Sequence, residues 1–140
     1  MFVETILSDA LHPEEAKRTS VSAFTGRWKN SRGSIMELTV HEDHHIHGSF
    51  RTEVPANGAA FHLSGFAEGD AISFAVDFGP RGSVASWSGH HMTDERGEHL
   101  VTLWHLARPI KDPHSVAALS GALLSGADEF SRIEETGSQS

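Results

Sequence analysis

The chain has 140 residues, 38% hydrophobic and 21% charged, a composition that fits one globular domain and excludes both a disordered chain and a membrane-like one. Its formal net charge of -8, with the 11 Lys and Arg scattered, excludes a nucleic-acid or anionic-membrane partner, because phosphate recognition needs clustered cations. With no cysteine there is no disulfide framework, no thiolate nucleophile and no Cys-based metal centre.

The first residues, MFVETILSDA, lack a basic n-region, and Glu4 and Asp9 interrupt the apolar stretch. As written the segment is no export signal, so the default expectation is a cytoplasmic protein, or a secreted one if an upstream signal has been removed. No apolar run approaches the roughly 20 residues needed to cross a bilayer. Phe2, Val3, Ile6, Leu7, Ala10 and Leu11 recur at helical spacing and Pro13 closes the run, which predicts a short amphipathic helix in an N-terminal extension, 1–22.

From Ala23 the hydrophobic period changes to two. Eight strands are predicted, at 23–30, 33–41, 44–52, 59–66, 71–78, 82–91, 98–107 and 126–133. The connectors hold Gly33, Asp43, Asn57 with Gly58, Gly69 with Asp70, Gly79 with Pro80, and Arg96 with Gly97, which is hairpin chemistry. Only the last connection, PIKDPHSVAALSGALL, is long enough for a helical turn or a loop over one end, and the tail, 134–140, is predicted to be disordered.

Each strand carries one apolar face. Phe24, Trp28 and Asn30 share a face of the first, Ser34, Met36, Leu38 and Val40 of the second, and Ile46, Gly48, Phe50 and Thr52 of the third. Phe61, Leu63 and Gly65 follow, then Ile72, Phe74, Val76 and Phe78, then Ser83, Ala85, Trp87 and Gly89. Leu100, Thr102, Trp104 and Leu106 face the same way on the seventh, and Asp128 with Phe130 on the eighth. Eight sequential strands with one apolar face each predict an all-β, antiparallel up-and-down β-barrel, over a two-sheet sandwich.

Toward the strand ends the inward set becomes a mixture of aromatic and polar groups: Trp28, Asn30, Ser34, Thr52, Phe78, Ser83, Trp87, Trp104 and Asp128. Aromatic walls with a few convergent polar groups orient a small ligand by shape and hydrogen bonds together. The ordered motifs TGRWKNSRGS, HGSFRTEV, FHLSG, SVASWSG, LVTLWHLA and LSGADEF, from Thr25 to Ile133, resemble the successive strands of the avidin and streptavidin family.

That resemblance implies a non-catalytic barrel that binds biotin as its ligand, with no cofactor. Asn30 and Ser34 match donors to the ureido oxygen of biotin, and Asp128 the carboxylate that accepts a ureido N–H. Phe78, Trp87 and Trp104 match the aromatic walls, and Thr52 and Ser83 the hydroxyls that hold a ring N–H and the valerate carboxylate. Phe50 and Leu106 complete the implied ligand-binding set, whereas Trp28 is assigned to the core.

Departures from the family pattern imply weaker binding. Phe50 stands where a Tyr usually gives a third donor, Ala85 replaces a Thr that contacts the ring sulfur, and Arg32, Pro55, Ala56 and Arg108 alter the rim. Several losses of about 1 kcal/mol each amount to a few orders of magnitude. The tryptophan with which tetrameric members cap a neighbouring site is missing near Ser120, which favours a homodimer over a tetramer, and outward Val101 and Leu103 support pairing.

Two other function classes are weaker. HEDHHIH at 41–47, with His90, His91, His99 and His105, offers metal ligands, but His41, His45 and His47 have outward parity and His44 lies in a turn, so the expectation is a solvated rim with no metal centre. A different small molecule, apolar or ureido-like, is the alternative occupant of the barrel. No nucleophile elbow, phosphate loop or paired-carboxylate spacing marks an enzyme.

Overall fold

The computed structural model describes residues 2–8, 21–52, 59–110 and 123–134. Eight strands follow in chain order: β1 (Gly26–Asn30), β2 (Ile35–Val40), β3 (His45–Arg51), β4 (Ala60–Glu68), β5 (Ala71–Asp77), β6 (Val84–Asp94), β7 (Gly97–Ala107) and β8 (Leu123–Arg132). Each pairs antiparallel with the next, and β8 returns to β1 through Trp28 opposite Arg132 and Asn30 opposite Phe130, so the barrel is closed. Closure removes the exposed edges that an eight-stranded sheet would otherwise present.

The alternation read from the sequence is the one that folds inward. Trp28, Met36, Ile46 and Leu100 are fully buried, and Leu38, Leu63, Phe74, Val76 and Phe130 nearly so. Gly48 and Gly65 lie on the same inner face, where an added Cβ would fall 1.8 Å from the Glu37 carbonyl oxygen and 2.1 Å from that of Ser73. At these points neighbouring strands come too close for any side chain.

Several predicted boundaries need correction. Residues 21–24 form a 3-10 turn rather than the start of β1, with Phe24 fully buried beneath the barrel. Its carbonyl accepts the indole N–H of Trp28 at 3.0 Å, which satisfies the one polar atom of a ring otherwise sealed from water. β4 and β6 run to Glu68 and Asp94, and β8 begins at Leu123 instead of 126. In the β2–β3 turn it is His44, at φ 69, that takes the left-handed conformation, while the Asp43 carboxylate accepts the backbone N–H of His45 at 3.1 Å. At the N-terminus a helix, α1, spans only Val3–Ser8, with Phe2, Val3, Ile6 and Leu7 exposed. The expected helix continuation through Leu11, the Asn57–Gly58 turn, Pro55, Ala56, Ser120 and the tail from 135 lie outside the described residues.

Two histidines also depart from the expected solvated rim. His91 continues the inward parity of β6 and sets its ring edge-on to Phe24 and Trp28, at centroid distances of 5.8 and 6.3 Å. His99 is 3% exposed, with Nε2 at 3.0 Å from Asp94 and Nδ1 at 3.4 Å from Glu129. Both are structural groups at the closed end of the barrel.

That end is tied together by Arg132. Its guanidinium lies 4.3 Å above the Trp28 ring, donates to the Thr25 carbonyl at 3.0 Å and to that of Ala23, and reaches Glu98 through Nε at 2.7 Å and Nη2 at 3.2 Å. The hydrogen bond from Arg132 holds the Glu98 carboxyl below its ordinary value of 4.5, opposed by partial burial and helped by His91. A depressed carboxyl stabilises the fold fully above its unfolded value and ceases to do so as pH falls through its folded one. The melting temperature is therefore expected to drop as pH is lowered below about 4.5, with a shallower slope in Glu98→Gln; calorimetric scans of both proteins across pH 3 to 6 check this.

Candidate ligand cavity

At the other end of the barrel the inner face opens into a cavity of about 220 Å³ lined by Asn30, Phe50, Phe78, Ala85, Trp87, Trp104, Leu106 and Asp128. Cross-strand register brings them together. Phe74, Trp87 and Trp104 are successive partners across β5, β6 and β7, and Ala85 sits opposite Leu106. Phe74 and Trp87 stack at 5.3 Å and 13°, which fixes the Trp87 indole as a flat wall. Phe50 lies 5.1 Å from Trp87 and edge-on to Phe78 at 6.2 Å, and Phe61 packs edge-on to Phe78 at 5.0 Å.

Trp104 takes its place through a glycine. Its partner on β8 is Gly126, where an added Cβ would lie 2.6 Å from Cζ2 of the indole. The ring therefore rests directly on the β8 backbone, and only glycine leaves it room there.

The polar end of the cavity is compact. Asp128 Oδ2 accepts the Asn30 Nδ2–H at 3.1 Å and faces the Trp87 Nε1–H at 3.4 Å. Asn30 Oδ1 accepts backbone N–H groups of Arg32 at 3.1 Å and Ser34 at 2.9 Å, which ties its amide to the Ser31–Arg32 turn and fixes which way Nδ2 points. Thr102 donates its hydroxyl to the Asp128 carbonyl at 2.8 Å and so anchors the backbone that carries the carboxylate. The Asp128 carboxylate thus projects into a space whose remaining lining, among the described residues, is apolar apart from Asn30.

Seven of the ten sequence-predicted ligand positions line this one cavity: Asn30, Phe50, Phe78, Trp87, Trp104, Leu106 and Asp128. Ser34 is buried beside Asn30, while Thr52 and Ser83 are half-buried at the ends of their strands and do not line it. Ala85 was read as a departure and forms part of the wall; Phe61 and Phe74 buttress that wall, and their parity on β4 and β5 was the available signal. Arg32 and Arg108 are exposed. Among the described residues a larger apolar depression lies on the outer face of β6–β8, lined by Val101, Leu103 and Ala127 and reaching Thr102 and Asp128.

Comparison with known proteins agrees with this architecture. Residues 18–133 match the model of the Avidin family. Among solved structures, the chain is similar to the rhizavidin-biotin complex (22% identity, TM-score 0.69, covering 84% of this chain and 99% of that one). It is similar also to the biotin binding protein from chicken (24%, 0.70, 83% and 100%) and to AVR2 (26%, 0.70, 86% and 100%). No curated protein sequence matches. A closed eight-stranded barrel, with a family match that spans most of its length, places this chain in the avidin family.

Proposed function

We propose that the cavity captures biotin, with the ureido ring at the Asn30, Ser34 and Asp128 end and the fused bicycle between Trp87, Trp104 and Phe78. The observation that carries this reading is the Asp128 carboxylate, held by two N–H donors inside an apolar cavity. A carboxylate in such a place calls for a ligand with N–H groups, and the Asn30 amide retains a second hydrogen, so a carbonyl oxygen is wanted beside it. A cyclic urea supplies both in one planar unit. As a member of the avidin family the chain is a non-catalytic binder, and nothing in this arrangement needs bond making.

Calorimetric titration of the full chain with biotin tests the reading: one site per chain is expected, with a dissociation constant in the nanomolar to micromolar range, about −12 to −8 kcal/mol. No heat and no shift in melting temperature at millimolar biotin would sink it.

Phe50 supports lower affinity than a tyrosine-bearing cavity would give. It is 4% exposed, lines the cavity and carries no hydroxyl to donate to a ureido oxygen. Phe50→Tyr is expected to tighten biotin binding by about 1 to 1.5 kcal/mol, roughly five- to tenfold, in the same titration. Phe50 and Phe78 on the wall, with Phe61 and Phe74 packed behind it, favour a second reading, a more apolar ligand at the same carboxylate. Native mass spectrometry of the purified protein separates the two by the mass of what co-purifies.

The outer face of β6–β8 supports a homodimer. Val101 and Leu103 are 42% and 62% exposed and line the apolar depression there with Ala127 and Ser88. A patch of this kind on a closed barrel is covered economically by a second copy about a twofold axis. Leu103→Glu is expected to shift the mass measured by light scattering from dimer to monomer, with the barrel still folded by circular dichroism.

A further inference from the structure

The β2–β3 hairpin carries four histidines within the seven residues HEDHHIH, and the biotin reading uses none of them. His41 and His45 are opposite one another where the hairpin closes, since the His41 backbone N–H bonds the His45 carbonyl at 2.8 Å. His47 lies two residues further along β3, on the same outer face. The three rings are nearly parallel, with His41 in the middle: 5.9 Å and 15° to His45, and 4.6 Å and 19° to His47.

His41 and His47 meet edge to edge through two ring nitrogens. His41 Nε2 and His47 Nδ1 stand 2.5 Å apart, closer than an ordinary N–H···N contact and with nothing else between them. The neighbouring imidazoles are engaged elsewhere, His45 through Nε2 with the Ser64 hydroxyl at 2.9 Å and His44 through Nδ1 with Glu68 at 2.7 Å. The convergent pair is exposed, and Glu42 and Asp43 of the turn add negative charge beside it.

From this convergence we propose that His41 and His47 form a surface chelate for a borderline divalent transition-metal ion, zinc or nickel. Imidazole nitrogens bind such ions at about 2.0–2.1 Å, so tetrahedral ligation needs the two nitrogens roughly 3.3 Å apart. Ring rotations on an exposed hairpin open the pair by that amount. Among the described residues no three His, Asp or Glu side chains already converge on a common point, so water fills the remaining positions. The net charge of -8 favours a cation over an anion.

Titration of the full, untagged chain with zinc chloride, and separately with nickel chloride, tests this. One ion per chain is expected at pH 7.5, with binding weakened at pH 5 because protonated imidazole cannot ligate. His41→Ala and His47→Ala are each expected to weaken binding about tenfold or more, whereas His62→Ala and His105→Ala, at exposed histidines on other strands, leave it unchanged. Long-range nitrogen NMR is expected to show zinc-dependent shifts at Nε2 of His41 and Nδ1 of His47. Unchanged affinity in the His41→Ala/His47→Ala double variant would overturn the assignment, as would losses shared equally among all the histidine variants. Biotin titration of the double variant gives wild-type values in either case, so failure here is separate from failure of the cavity reading.

Discussion

Asp128→Ala is expected to lower biotin affinity by about 2 to 4 kcal/mol, roughly 30- to 1,000-fold, while changing the melting temperature little. Among the described residues the carboxylate is the only anionic group lining the cavity, and it anchors Asn30 Nδ2 at 3.1 Å and Trp87 Nε1 at 3.4 Å. Removing it takes away a charge-assisted acceptor for the ligand and frees the Asn30 amide to reorient, so a donor to the ureido oxygen is disturbed as well. Folding is spared because the side chain is only half-buried and the backbone bond from Thr102 to the Asp128 carbonyl remains. Asp128→Asn separates the two effects. It keeps the shape but replaces a pure acceptor by a group that also donates, and it is expected to lose nearly as much affinity as alanine. Calorimetric titration and thermal melts on both variants give the comparison.

Trp28→Ala is the substitution expected to harm the fold most. The side chain is fully buried, and truncating a buried Trp costs about 3 to 5 kcal/mol through lost contacts and the cavity left behind. Here the loss spreads, because the Arg132 guanidinium loses the ring 4.3 Å beneath it and His91 loses its edge contact. Against a total stability of about 5 to 15 kcal/mol, the melting temperature should fall by about 10 to 15 °C in a domain of this size. Differential scanning calorimetry reads this directly. Biotin binding by the folded fraction should change little, since Trp28 does not line the cavity.

The barrel was legible in the sequence because one physical regularity, alternation at period two, runs through every strand and each turn carries its own residue chemistry. The same regularity gave the inner face, and with it Asn30, Phe50, Trp87, Trp104 and Asp128. What alternation missed has particular causes. Phe24 shares the parity of Trp28, yet it ends a 3-10 turn, Val21–Phe24, and its carbonyl caps the indole, a bond between residues four apart that no strand pattern announces. The predicted last strand starts at Gly126, but the strand runs from Leu123, and the reason for the glycine is the Trp104 ring lying against it, visible only once β7 and β8 are in register. His91 carried the right parity and the wrong expectation, since an imidazole looks like a surface residue until Glu98, itself held by Arg132, gives it a partner. His99 has outward parity, and its burial comes from Asp94 and Glu129 closing over it.

A crystal structure of the full chain grown with excess biotin tests the central claim most directly. The account predicts the ureido oxygen within about 3.2 Å of Asn30 Nδ2 and the Ser34 hydroxyl, a ureido N–H on Asp128, and the fused rings between Trp87 and Trp104. A cavity empty at saturating biotin, or biotin bound with its ureido group turned away from Asp128, would contradict it.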